Sequence, residues 1–202
     1  MPLDAAMQYH GGLTAEQFLF YEMRIVAQLY VQGHPIDGIV ECVKKDNLFQ
    51  YPTEREVSRL TRACYKRLVA LGNDTLVREI AFAPHETAKQ INLYSMMCYN
   101  RLMREFMINL IGEKYRLQDY SFTRKDINVF FFHLQEQNDD IAEWSDKTII
   151  KIKQVLTKCL VETGMLDSVR DTTLHPVFIS EELENGIREN NDFEALAAFN
   201  CF

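Results

Sequence analysis

The 202-residue chain is 47% hydrophobic and 25% charged, values that exclude wholesale disorder and allow a sizeable core. Its formal net charge of −7 is uneven: residues 181–194 hold six acids and one arginine, leaving 21 bases against 23 acids in residues 1–180. Eight glycines and five prolines argue against a turn-rich all-β chain, and apolar residues recur at helical spacing, so the class is mainly α.

Thr14 and Gln17 match a capping box, predicting a first helix through AEQFLFYEMRIVAQLYV that stops near Gly33-His34-Pro35. A short helix, IDGIVECVKK, and the turn DNLFQYP follow. Thr53 and Glu56 open a helix from Glu54 to about Leu71, closed by Gly72-Asn73-Asp74. DTLVREIAF predicts a short helix, and a long central helix is expected from about Glu86 to Ile111. That stretch is the most apolar, yet Asn92, Asn100, Arg101, Arg104 and Glu105 interrupt it. A bilayer span needs about 20 largely apolar residues, so this is a buried soluble helix; the cytoplasm is expected instead from five widely spaced cysteines that read as reduced thiols. No secretory signal is visible before Gly12.

Beyond the irregular EKYRLQDYSF, Thr123 and Asp126 start a helix through INVFFFHLQEQ, and NDDIAEW makes one short turn. Ser145 caps SDKTIIKIKQVLTKCLVETG, which ends at Gly164. MLDSVRDTTLHPVFIS carries a β-signal, read as a hairpin around Arg170-Asp171-Thr172 with Pro176 confining the second strand to an edge. The acidic segment from Glu181 is expected to form a short helix and then fray. The resulting fold class is a mainly α bundle with two helix-turn-helix-like units, the second followed by a small β-hairpin in winged-helix fashion. Its regions are 1–112, 113–180 and an acidic tail, 181–202, free to pack as one unit.

Two of these helices share a plan. TEREVSRLTRACYKRLVALG (53–72) and SDKTIIKIKQVLTKCLVETG (145–164) align hydroxyl cap on hydroxyl cap, Thr53 on Ser145, and acid on acid, Glu54 on Asp146. Bases then meet bases: Arg55 with Lys147, Arg59 with Lys151, Lys66 with Lys158. At about 100° per residue, Arg55, Arg59, Arg62 and Lys66 form one stripe, and Lys147, Lys151, Gln154 and Lys158 form another. Val57, Leu60, Cys64 and Leu68, like Ile149, Ile152, Leu156 and Leu160, occupy the opposite faces. Bases are ordinary on a solvated helical face, but such a face mixes signs, because like charges four residues apart repel. Two cationic stripes in matching register point to a polyanion.

Catalytic signatures are absent. The histidines (His10, His34, His85, His133, His175) are scattered, and the five cysteines include no C-x-x-C pair, which reads as reduced thiols and no cofactor or metal. Asp139-Asp140 fits a helix N-terminal turn as well as an acid cluster, and VFFF (129–132) fits a core helix better than a base-stacking platform.

GGLTAEQFLFYEMRIVAQLYVQG, NLFQYPTEREVSRLTRACYKRL, REFMINLIGEKY and DIAEWSDKTIIKIKQVLTKCLVETGML together resemble the BrxA family of BREX bacteriophage-defence systems, over roughly residues 11–166. The resemblance implies a mainly helical fold likened to the antitermination protein NusB, helix-turn-helix or winged-helix elements, and affinity for double-stranded DNA. It also implies a bacterial protein working beside other BREX components, and it carries no catalytic residues.

The expectation is therefore a non-enzymatic DNA-binding protein with weak sequence preference. Arg55, Arg59, Arg62 and Lys66 form one patch, and Lys147, Lys151, Lys158 and Arg170 form the other. No membrane or small-molecule substrate is expected. Structured RNA, suggested by the NusB likeness, and an acidic surface of another defence protein remain the alternative ligands.

Overall fold

The computed structural model describes Tyr9 and residues 11–202; the readings of His10 and of the first residues lie outside them. A 3-10 turn, Gly11–Thr14, precedes α1 (Phe20–Val31), α2 (Ile36–Lys45), α3 (Glu54–Leu71), α4 (Asp74–Phe82) and α5 (His85–Tyr99). A second run begins with α6 (Arg101–Glu105), continues as a π-helical segment, Phe106–Gly112, and ends in α7 (Glu113–Arg116). Then come α8 (Arg124–Gln137), α9 (Asp139–Ala142), α10 (Asp146–Glu162), α11 (Glu181–Glu189) and a 3-10 helix, Phe193–Phe199.

Most boundaries follow local chemistry. Thr53 accepts from the Glu56 amide to cap α3, and Gly72 closes it in the left-handed region at φ 61°. Thr123 and Asp126 form the expected capping box on α8. Ser145 caps α10 through the Thr148 amide. On α3 and α10 the predicted apolar quartets are buried: Val57, Leu60, Cys64 and Leu68 on α3, Ile149, Ile152, Leu156 and Leu160 on α10.

Two helices differ from expectation. The first begins at Phe20, not near Thr14, whose hydroxyl instead donates to the Gly11 carbonyl. The buried guanidinium of Arg67 donates to the carbonyls of Glu16 and Gln17, and Asn92 donates to that of Phe18. These carbonyls are the acceptors a helix starting at Thr14 would need for its own amides. Leu19, at φ 50°, then turns the chain into α1. The long central helix is also two helices, because Asn100 adopts an extended backbone and its side chain caps the Met103 amide. Asparagine is a strong N-cap and a weak interior residue, so it restarts the helix there.

The expected hairpin is not formed, so the protein has no wing of the winged-helix kind among the described residues. Among the described residues there is no strand, only an isolated antiparallel bridge between Ser121 and Thr173. Asp171 explains why. Its Oδ1 accepts from the Thr172 and Thr173 amides and its Oδ2 from the Asp167 amide, and the Asp171 amide donates to the Ser168 carbonyl. Side-chain-to-backbone bonds thus take the groups a ladder would pair. The remaining pairing runs to the 120–122 segment, with Phe122 N–H donating to Thr172 O and Leu174 N–H to Tyr120 O. The peptide around Arg170 is a bent loop.

The acidic tail does not fray after its helix. α11 packs on α4 and α5, and the terminal 3-10 helix packs on the π segment, where Ala195, Ala198 and Phe199 are fully buried. A Cβ on Gly112 would stand 3.0 Å from Ala197 Cβ and 3.1–3.2 Å from its backbone, so the absence of a side chain permits that contact.

No described helix is long and apolar enough to cross a membrane.

Candidate nucleic-acid interface

The eight cations named from the sequence are all exposed: Arg55, Arg59, Arg62 and Lys66 on α3, Lys147, Lys151 and Lys158 on α10, and Arg170 on the loop that follows. The two stripes differ in how far neighbouring groups neutralise them. On α3, Arg62 meets Asp37 of α2 at 2.8 Å. Arg59 lies 3.8 Å from Glu56 and also donates to the Ala15 carbonyl at 3.3 Å. Arg55 and Lys66 have no ion pair with a described residue. On α10, none of Lys147, Lys151 and Lys158 has one either, and the exposed face between them holds Ile150 and Gln154.

One lysine of α10 belongs elsewhere. Lys153 donates to Asn128 Oδ1 at 2.8 Å and sits 5.0 Å from the centre of the Phe131 ring, both on α8. Burial lowers its pKa. It fastens α10 to α8, while the other three lysines stand on the outer side. Glu162, at the far end of α10, is likewise turned aside to Lys89 of α5 at 3.2 Å.

Arg170 shares a cavity of about 260 Å³ with Arg124. Thr123, Thr157, Thr172, Phe122 and Ile127 complete much of its wall. Thr157 precedes Lys158, so this arginine-flanked pocket adjoins the α10 stripe. The sequence reading passed over Arg124, yet it carried a signal. Arg124 and Lys125 occupy the first two positions of α8, where the helix dipole disfavours cations. Arg55 and Lys147 are second in their own helices, behind Glu54 and Asp146, so of these three helices α8 alone opens on bases.

The segment from Gly11 to Ala15 touches both basic helices. α10 packs on the Gly11–Thr14 turn, and Arg59 reaches the Ala15 carbonyl.

The thiols beneath the stripes are inert. Burial pushes Cys64 on α3 and Cys159 on α10 up to about 12, which leaves them protonated core residues. A larger groove of about 740 Å³ lies between the π segment and α8. Three of its lining groups serve one another: Tyr9 donates to Glu105, and Arg101 binds Glu105 at 2.8 Å while lying over the Tyr9 ring.

The sequence model of the BrxA family matches residues 7–191. A protein of Bacillus cereus named BREX protein BrxA is 35% identical over 158 residues, 78% of each chain. A protein of the same name from Paramagnetospirillum magneticum is 22% identical over 188 residues, 93% of this chain and 94% of that one. In fold, the chain is similar to the crystal structure of an uncharacterized protein from Magnetospirillum magneticum. The TM-score is 0.80 at 21% identity, covering 95% of this chain and 97% of the other.

Proposed function

The chain belongs to the BrxA family of BREX defence proteins, and on that premise we propose that it is a non-enzymatic binder of double-stranded DNA. The observation that carries this reading is the outer face of α10, where Lys147, Lys151 and Lys158 stand exposed with no carboxylate paired to them among the described residues. Cations four and seven residues apart on a bare face repel each other and lower helix stability; a row of phosphates removes that repulsion. Arg170 and Arg124 extend the surface beyond the helix, in place of a wing. The α3 stripe contributes less, since Arg62 and Arg59 must first leave Asp37 and Glu56.

Lysines supply charge without reading bases, and arginines can also make bidentate contacts to guanine. Weak sequence preference follows, with any selectivity arising from Arg124, Arg170 or the α3 arginines.

The test is a gel-shift salt titration of the full chain on duplex DNA. With about six phosphates engaged, affinity falls by roughly 10³-fold between 50 and 200 mM salt. Lys147→Glu/Lys151→Glu is expected to abolish the shift with circular dichroism retained, and Arg59→Glu/Arg62→Glu to weaken it less. Equal binding by both variants and the wild type would overturn the reading. Preferential competition by RNA duplex of the same length would replace DNA with RNA as the ligand.

A further inference from the structure

The loop that replaces the expected hairpin brings three side chains together at four-residue spacing: Asp167, Asp171 and His175. One donor atom from each lies within 4.8 Å of the other two. His175 Nε2 is 3.4 Å from Asp167 Oδ2 and 3.4 Å from Asp171 Oδ2. The same Nε2 is closed to solvent and makes no hydrogen bond to a described residue, although the imidazole as a whole is 42% exposed. A separation of 3.4 Å exceeds the ~2.7–3.2 Å of an N–H···O bond, and leaving a shielded polar nitrogen unmatched is costly.

We propose that Asp167, Asp171 and His175 form a binding site for a divalent transition metal ion of the zinc class. Zinc takes imidazole nitrogen and carboxylate oxygen at ~2.0–2.2 Å, and tetrahedral ligands at that radius stand ~3.3–3.6 Å apart. The two nitrogen–oxygen separations have this value. An ion between the three groups accepts the Nε2 lone pair that no hydrogen bond occupies, and the two carboxylates balance its charge. The fourth position is left to water.

The ligands are held in place by the chain around them. Asp171 is oriented by the amides of Thr172 and Thr173, which donate to its Oδ1, and of Asp167, which donates to its Oδ2. The His175 amide donates to the Met165 carbonyl at 2.9 Å, and its carbonyl accepts from the Tyr115 hydroxyl at 2.9 Å. Asp167 is the exposed member of the three. The bound ion ties both ends of the 167–175 loop together. It also offsets two negative charges that flank Arg170.

The experiment is calorimetric titration of ZnCl2 into the full chain after chelator treatment, with no DNA present. The wild type is expected to bind one equivalent that Asp167→Asn and His175→Gln lose or bind at least ~100-fold more weakly, more than removal of a ligand's outer-shell partner typically costs. Both variants keep all five cysteines, so zinc held by thiols remains as a common background. Asp167 is exposed and supports no other described contact through its side chain, so its variant reports binding without a folding defect. Zinc stoichiometry and affinity unchanged in both variants, or no zinc uptake by the wild type beyond that background, would overturn the proposal. Either result leaves the DNA reading untouched.

Discussion

Arg104 and Asp192, 88 residues apart, form a two-pronged ion pair in which the guanidinium and carboxylate are 5% and 7% exposed. The Tyr94 hydroxyl also donates to Asp192, at 3.1 Å. Burial opposes the charge on Arg104, but the hydrogen bonds and charge of Asp192 outweigh it and hold its pKa above the ordinary value. The acidic tail is thereby fastened to the helix that carries the π segment.

Asp192→Ala is expected to destabilise the fold by about 3–5 kcal/mol, because it strands a buried guanidinium. Chemical denaturation of the variant measures this. Arg104→Met/Asp192→Leu removes both charges and should be less destabilised than Asp192→Ala. A double variant as unstable as the single one would show that packing, not the stranded charge, sets the cost.

Gly186 on α11 faces Leu76 of α4 so closely that a Cβ would stand 2.6 Å from its Cγ and both Cδ atoms. Gly186→Ala is expected to cost about 1–3 kcal/mol through overpacking, despite alanine's better helix propensity. Leu76→Ala in the same chain should recover part of that loss, which a comparison of urea midpoints would reveal.

Lys153 and Lys151 separate packing from ligand contact. Lys153→Met keeps the stem against Phe131 and is expected to leave the DNA salt slope unchanged. Lys151→Met should lower the slope by about 0.9, the change for one phosphate contact. A reduced slope for Lys153→Met would place that lysine at the interface after all.

Stability should fall in acid through a cluster around Lys114. It binds Asp119 at 2.7 Å and Asp126 at 3.1 Å. Burial alone would raise the Asp126 carboxyl, but the Thr123 hydroxyl and amide, and then Lys114, bring it below its usual value. A carboxyl depressed in the folded state adds stability that is complete above its unfolded pKa of ~3.9 and is lost as pH falls through the folded value. Asp126→Asn should therefore flatten the acid limb of a stability–pH curve below about pH 4. An acid limb identical to wild type would remove Asp126 from the cluster's contribution.

How much of this molecule was legible beforehand depended on the range of the interactions. The faces of α3 and α10 are set by which residues recur every three or four positions, so Leu60 and Leu156 inside and Lys66 and Lys158 outside could be read directly. The caps at Thr53, Thr123 and Ser145 were equally accessible, being contacts over three residues.

What only the tertiary structure decided lay with partners distant in sequence, or with side chains competing for backbone groups. The start of α1 depends on Arg67 and Asn92, about 50 and 74 residues away from the carbonyls they take. The wing gave way to a loop because Asp171 satisfies amides that a strand would have offered its neighbour. The balance of the two cationic stripes turned on Asp37, which sits on another helix and reaches Arg62 but has no counterpart beside α10 among the described residues. Periodicity states which side of a helix is polar; only folding determines which opposite charges arrive beside it.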